Sequence, residues 1–223
     1  MDTEQLKKPF FIFIEGADGV GKSSTTTLLG EILTNAWKKK VNKTLIMQFT
    51  EAGTLLRNIA IKDDTVSEEL KFLSYCFSTF YGLDKLISGF DDKDFVIVDR
   101  SHASTFAQSI CAANMEETTK SHAVKFFSVL NDKFKETYKD RYLFVNLTVT
   151  PEVALERMQK SRGELDLFEK RGPVYQEKIR QSYNTFFIYH IDKSNVITIN
   201  TGEKPLVTVI DDIVLHLKEI GKL

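Results

Sequence analysis

The sequence predicts an α/β domain built on a parallel sheet with helices packed over it. Three observations carry that expectation: five short apolar runs without clean alternation, helical segments between them, and a glycine-rich loop joining the first run to the first helix. Alternation marks a strand with one wet face, whereas continuous Val, Ile, Leu and Phe mark a strand covered on both. At 223 residues the chain has the length of one domain. Apolar residues make up 42%, enough for a core, and charged residues 27%, enough for a wet surface.

The first run, Phe10-Phe11-Ile12-Phe13-Ile14, reads as a buried strand. It leads into Gly16-Ala17-Asp18-Gly19-Val20-Gly21-Lys22-Ser23, a complete G-x-x-x-x-G-K-S phosphate loop, and then into a proline-free helical stretch from Ser23 to Trp37. A strand ending in this loop and opening a helix aims backbone N–H groups at a triphosphate. Glycines let the backbone approach phosphate oxygens, Lys22 supplies a point charge to the β- and γ-phosphates, and the Ser23 hydroxyl ligates Mg²⁺. Residues Gly16 to Ser23, with Ser24, are therefore the expected nucleotide contacts.

Further strands are expected at Thr44–Phe49, Phe95–Val98, Tyr142–Val149 and Val196–Asn200, and helices at Val66–Ser88, Met115–Tyr138, Pro151–Gln159, Tyr175–His190 and Pro205–Ile220. Pro151 suits the first helical position after Thr150 as cap, and Pro205 the same position after Lys204. The charged stretch of about residues 160–173, with Gly163 and Gly172, interrupts two helical patterns. It is expected to be a mobile lid on a single domain spanning residues 1–223.

In such a sheet, functional groups gather at the carboxyl ends of the strands. The first strand leads to Glu15 and Asp18, the second to Thr50-Glu51-Ala52-Gly53-Thr54, and the third to Asp99-Arg100-Ser101. Asp99 is placed for the Mg²⁺ shell or a substrate hydroxyl, and Arg100 can fork onto a second phosphate. A structural ion pair closing the sheet is the alternative for these two residues. Arg157 and Arg162, with Lys160, Lys170 and Arg171 nearby, can close over the triphosphate and stabilise transition-state charge.

Composition excludes other classes. The net charge of −1 argues against a general nucleic-acid or membrane binder. Lys38-Lys39-Lys40 reads as a solvated helix end. Cys76 and Cys111 lack C-x-x-C spacing and read as buried free thiols of a reducing compartment. The four histidines are scattered and form no metal cluster. With no signal peptide and no apolar stretch long enough to span a bilayer, a cytoplasmic enzyme is expected.

Three segments together carry a family resemblance. Phe13-Ile14-Glu15-Gly16-Ala17-Asp18-Gly19-Val20-Gly21-Lys22-Ser23-Ser24 resembles the opening of thymidylate kinases. Asp99-Arg100 followed by Ser104 and Ala107 is similar to their D-R-x-x-x-S-x-x-A segment. The run from Ser161 to Glu169 resembles the bacterial-type lid, and Tyr175 and Tyr183 match the aromatic spacing of the following helix. The resemblance runs from about Phe10 to Tyr183 in order. It implies a P-loop NTPase fold of the nucleoside monophosphate kinase kind, a three-layer sandwich on a five-stranded parallel sheet of order 2-3-1-4-5. It further implies transfer of the γ-phosphoryl of ATP, with Mg²⁺, to a deoxynucleoside monophosphate, typically dTMP, by a homodimer. Carried over by position, Asp18 lies beside the acceptor phosphate, Asp99 near the metal and Arg100 on the acceptor. With Gly19 in the loop instead of an arginine, Arg157 and Arg162 supply the transition-state charge.

The departures fall in the acceptor half. Where the family carries R-x-P after the second strand, the chain has Gln48-Phe49-Thr50-Glu51. The helix after Ser67, where the family places a thymine-binding arginine, has none from Phe72 to Phe80. Ser101 stands at the family's aromatic position and Leu167 at a common lid arginine. Phe72 is a candidate base-stacking residue or a core residue, Ser104 and Gln108 are further acceptor candidates, and Arg57 is a candidate replacement cation. A deoxynucleoside kinase acting on a bare 5′-hydroxyl, with Glu51 as base, also accounts for missing arginines. A non-catalytic ATP-binding regulator is the third reading. The aromatic run from Phe72 to Tyr81 could serve a dimer surface or the core.

Overall fold

The computed structural model describes residues 8–63, 65–111, 113–162 and 172–223, without the side chains of residues 61, 62, 161 and 162. Five parallel strands, β1 (Phe10–Glu15), β2 (Val41–Leu45), β3 (Phe95–Asp99), β4 (Tyr142–Thr148) and β5 (Val196–Asn200), form one sheet of order β2-β3-β1-β4-β5. The order and direction are those the family resemblance implies. The helices are α1 (Lys22–Asn35), α2 (Glu51–Lys62), α3 (Glu68–Gly89), a short α4 (His102–Thr105), α5 (Glu117–Tyr138), α6 (Pro151–Arg162), α7 (Gly172–Tyr189) and α8 (Leu206–Glu219). The lid expected at 160–173 lies outside the described residues over 163–171, as does the side chain of Arg162.

Every residue of the central strand β1 is buried, as its unbroken apolar run requires. Phe11 and Phe13, two positions apart, share one face of the sheet and meet α5 through Tyr138 at 4.8 Å and Phe134 at 5.6 Å between ring centroids. The Tyr138 hydroxyl donates to the Leu83 carbonyl at 2.7 Å, fastening α5 to α3. On the other side α1 packs with α8 and the sheet.

Two expectations need correction. The second strand is not Thr44–Phe49 but Val41–Leu45. Its register pairs Leu45 with Asp99, the last residue of β3, so the ladder ends there. Ile46 and Met47, apolar and buried, instead form a 3₁₀ turn that drops the chain into α2. Thr50–Thr54 consequently opens a helix, with the Thr50 hydroxyl accepting the Gly53 N–H at 3.0 Å. Pro205 is the N-cap of α8, one position before the place predicted for it. Pro151 does open α6, with the Thr150 hydroxyl 3.5 Å from the Val153 N–H. Cys76 is buried and Cys111 half-buried, both as free thiols.

Candidate active site

The carboxyl ends of β1, β3 and β4 carry the site. After β1 the chain turns through three glycines with left-handed φ, Gly16 at 132°, Gly19 at 78° and Gly21 at 96°. Two of them also lack room for a side chain. A Cβ on Gly16 would stand 2.2 Å from the Leu147 carbonyl oxygen, and one on Gly19 2.4 Å from that of Ala154. The phosphate loop is thus pressed between β4 and the first turn of α6. α1 begins at Lys22 with no side-chain cap and no acid in its first turn, which leaves its N-terminal N–H groups for an anion.

Lys22 is 7% exposed, and its Nζ donates to the carbonyls of Gly16 at 3.0 Å and Ala17 at 2.7 Å. Burial, then the neighbouring Arg100, pushes its pKa down against the pull of Asp18, Asp99 and Glu15. A desolvated cation in this position gains from a phosphate more than an exposed one does. Ser23 and Ser24 are exposed at the start of α1. The Ser23 hydroxyl donates to Asp99 Oδ2 at 3.2 Å, while Asp99 Oδ1 is buried without a hydrogen-bond partner among the described residues. A hydroxyl beside a carboxylate with one unused oxygen suits Mg²⁺, which takes few protein ligands and completes its shell with phosphate and water. Among the described residues no three His, Cys, Asp or Glu side chains cluster into another metal site.

Arg100 follows β3. Its N–H still bonds the Ile14 carbonyl at 3.0 Å, and its φ of 67° then turns the side chain towards the loop, where the guanidinium pairs with Asp18. Burial alone would raise the Asp18 pKa, but Arg100 and Lys22 hold it well below the usual carboxylate range. Beneath this pair lies Glu15, fully buried. It accepts from Ser101 at 2.5 Å on one oxygen and from Ser104 at 2.7 Å on the other. The Ser104 oxygen is also 2.8 Å from the Tyr183 hydroxyl of α7 and 3.4 Å from Arg100 Nη1. Burial raises the Glu15 pKa, partly countered by the two hydroxyls, Arg100 and Lys22.

This network changes the place of several expected residues. Ser104 is wholly buried, its hydroxyl engaged with Glu15, so it reaches a substrate only through Arg100. Phe72 is 4% exposed and packs edge-on against Phe126 at 6.5 Å. Gln108 is half-buried in a π-helical stretch, Phe106–Cys111, after α4. Glu51 is exposed in the first turn of α2. Arg157 donates to Thr201 Oγ1 at 3.1 Å and to the carbonyls of Thr201 at 2.7 Å and Gly202 at 3.2 Å. The Thr201 hydroxyl bonds the Val20 carbonyl at 2.9 Å, so Arg157 braces the turn after β5 against the phosphate loop. Thr201 lies in no motif. Glu15 and Ser101 stand at strand ends inside motifs the sequence shows, but nothing there announces that the two pair.

A family model described as thymidylate kinase matches residues 14–213. The chain belongs to the thymidylate kinase family. It is 28% identical over 196 residues to a thymidylate kinase of Thermosipho africanus, with 82% of this chain and 90% of the relative covered. A thymidylate kinase of Alteromonas mediterranea is 30% identical over 78% of this chain and 75% of its own length. A solved thymidylate kinase structure from Candida albicans superposes with a TM-score of 0.71 over 96% of this chain and 93% of that one, at 18% identity, which speaks to the fold. As a family member the chain is a nucleoside monophosphate kinase. The family's acceptor-side arginine has no counterpart on α3, where the inward positions are Phe72, Cys76, Ser78 and Thr79. Thr79 instead shares a buried hydrogen bond of 3.0 Å with Thr105 of α4.

Proposed function

We propose that the enzyme transfers the γ-phosphoryl group of ATP to dTMP, forming dTDP and ADP. The observation that carries the reading is the convergence, in a thymidylate kinase family chain, of a complete phosphate loop with the Ser23–Asp99 and Asp18–Arg100 pairs. Lys22 and the α1 N-terminus hold the β- and γ-phosphates of the donor, and the Gly16–Gly21 backbone wraps them. Mg²⁺ held at Ser23 and Asp99 would neutralise phosphate charge. Arg100, oriented by Asp18 and Ser104, fixes the acceptor's phosphate so that its oxygen faces the γ-phosphorus in line.

Transition-state charge falls to α6. Gly19 offers no side chain, and Arg157 now bonds three neutral oxygens, which charged phosphate oxygens outcompete as acceptors. Arg162, at the end of the same helix, is its partner in this role. The direct test incubates protein with Mg²⁺-ATP and either dTMP or thymidine. Formation of dTDP is expected; a protein that phosphorylates thymidine and not dTMP is a nucleoside kinase and the reading fails.

We place the enzyme in the cytoplasm, where its cysteines stay reduced, and among the described residues no helix is long and apolar enough to cross a membrane. We also read it as a homodimer. The run from Phe72 to Tyr81 divides by face: Phe72, Cys76 and Thr79 turn inward, whereas Leu73 and Phe77 are 50% and 53% exposed. With Phe126 of α5, 48% exposed, they line an apolar groove of about 670 Å³. Phe77→Asp is expected to convert a dimer to a monomer in sedimentation equilibrium. A wild-type protein that sediments as a monomer at micromolar concentration removes the dimer.

A further inference from the structure

The sequence lacks the arginine expected to grip the acceptor phosphate after β2 and offers Arg57 as a candidate replacement, which the structure places on α2, a helix that the sequence did not announce. α2 and α3 pack together as consecutive helices joined by a short connection, hence antiparallel. Their register is set where the Ser78 hydroxyl donates to the Gly53 carbonyl at 3.2 Å. One turn along α2 from Gly53 is Arg57, and one turn back along α3 from Ser78 is Tyr75, so the two face each other across the hairpin. Burial agrees. Gly53 and Ala60 are buried while Leu55 and Ile59 are 63% and 44% exposed, which puts Arg57 on the α3 side of its helix.

The electrostatics of Tyr75 bring in the third element. Burial and Glu68, itself paired with Lys71, push its phenol pKa up, while Arg57 and Arg100 pull it down, so two guanidinium groups from separate elements lie within electrostatic reach of one hydroxyl. Neither Arg57 nor Tyr75 makes a hydrogen bond or ion pair with another described residue. Charge balance points the same way. Arg100 is already paired with Asp18, so it brings no net positive charge to a phosphate monoester that carries about −1.5 to −2. A second cation on that side is needed.

We propose that Arg57 is this cation and that, with the Tyr75 hydroxyl, it binds the acceptor's phosphate opposite Arg100. The inference rests on the reading that the acceptor is a nucleoside monophosphate. It supplies the phosphate grip that the arginine missing after β2 would provide, and leaves recognition of the base to other groups.

Steady-state kinetics on wild type, Arg57→Ala, Arg57→Gln and Tyr75→Phe test it, with thermal midpoints as the folding control. Arg57→Ala and Arg57→Gln are expected to raise KM for dTMP by about tenfold or more, the effect of losing one charged hydrogen-bonding partner, with KM for ATP within twofold. Tyr75→Phe is expected to raise KM for dTMP about threefold to tenfold. A folded Arg57→Gln protein with KM for dTMP within twofold of wild type overturns the proposal. Equilibrium binding separates this from the function itself. The preference for dTMP over thymidine, measured by calorimetry, should collapse in Arg57→Gln while thymidine affinity is unchanged. If wild type binds dTMP in this Arg57-dependent way yet transfers no phosphate, the functional reading fails and the site stands. If the preference persists without Arg57, the site fails whatever the activity.

Discussion

Replacing Lys22 by alanine is expected to lower the rate of phosphoryl transfer by about 10²–10³-fold or more, the cost of removing one preorganised donor from developing charge. Lys22 Nζ reaches two carbonyls of its own loop, so the ammonium is held at the loop's centre by backbone rather than by a mobile partner. The fold should survive, because losing the hydrogen bonds to two loop carbonyls and the long contact with Asp18 is offset by removing a desolvated cation. Single-turnover measurements at saturating nucleotide, alongside thermal unfolding, separate the two effects. A variant that unfolds at the wild-type temperature and keeps more than a tenth of the rate would remove Lys22 from the mechanism.

A second large effect is expected in acid. His102, fully buried among Phe80, Phe127, Phe134, Phe144 and Phe186, donates from Nε2 to Asn131 Oδ1 at 2.9 Å, and its Nδ1 has no partner. Burial pushes its pKa down to about 3. The folded state therefore keeps the ring neutral while the unfolded chain takes up a proton near pH 6.5. Stability is full above that pH and falls as pH drops towards about 3, by at most about 5 kcal/mol. His190, also lowered by burial, adds to the loss with the same sign. Asp18 adds its own loss from the ordinary carboxylate range downward, as the unfolded chain takes up protons first, and Glu15, whose pKa is raised, acts in the opposite direction. His102→Gln isolates the imidazole. Its unfolding free energy from urea titrations between about pH 5.5 and 4 should lose about 1.4 kcal/mol per pH unit of slope relative to wild type. Parallel slopes for the two proteins would sink the assignment.

The donor half of the site was legible because its parts are local. The loop, its preceding strand and its following helix lie within 30 residues, and each glycine answers a steric demand that a short motif records. The same holds for Asp99-Arg100, which closes an apolar run. The boundary after β2 was not legible, because Ile46 and Met47 are as apolar as a strand and only the end of β3 tells them to turn. With that boundary went α2, and with α2 the facing of Arg57 and Tyr75. Ser104 resembled a substrate contact because its partners, Glu15 and Tyr183, are 89 and 79 residues away. Arg157 likewise gave no sign that it would brace Thr201, 44 residues on. Long-range polar partners have no periodicity, so pattern reading reaches the elements and stops short of the network that joins them.

The contact between Gly19 and α6 limits what position 19 can carry. Any side chain at position 19 would collide with the Ala154 carbonyl and strain a left-handed backbone, so an arginine cannot be accommodated there unless the first turn of α6 retreats. The next turn of that helix carries Arg157 and its brace on Thr201, so a shift of α6 would be felt at both places. The contact thus ties the residue at position 19 to the placement of a helix that begins more than 130 residues further along the chain.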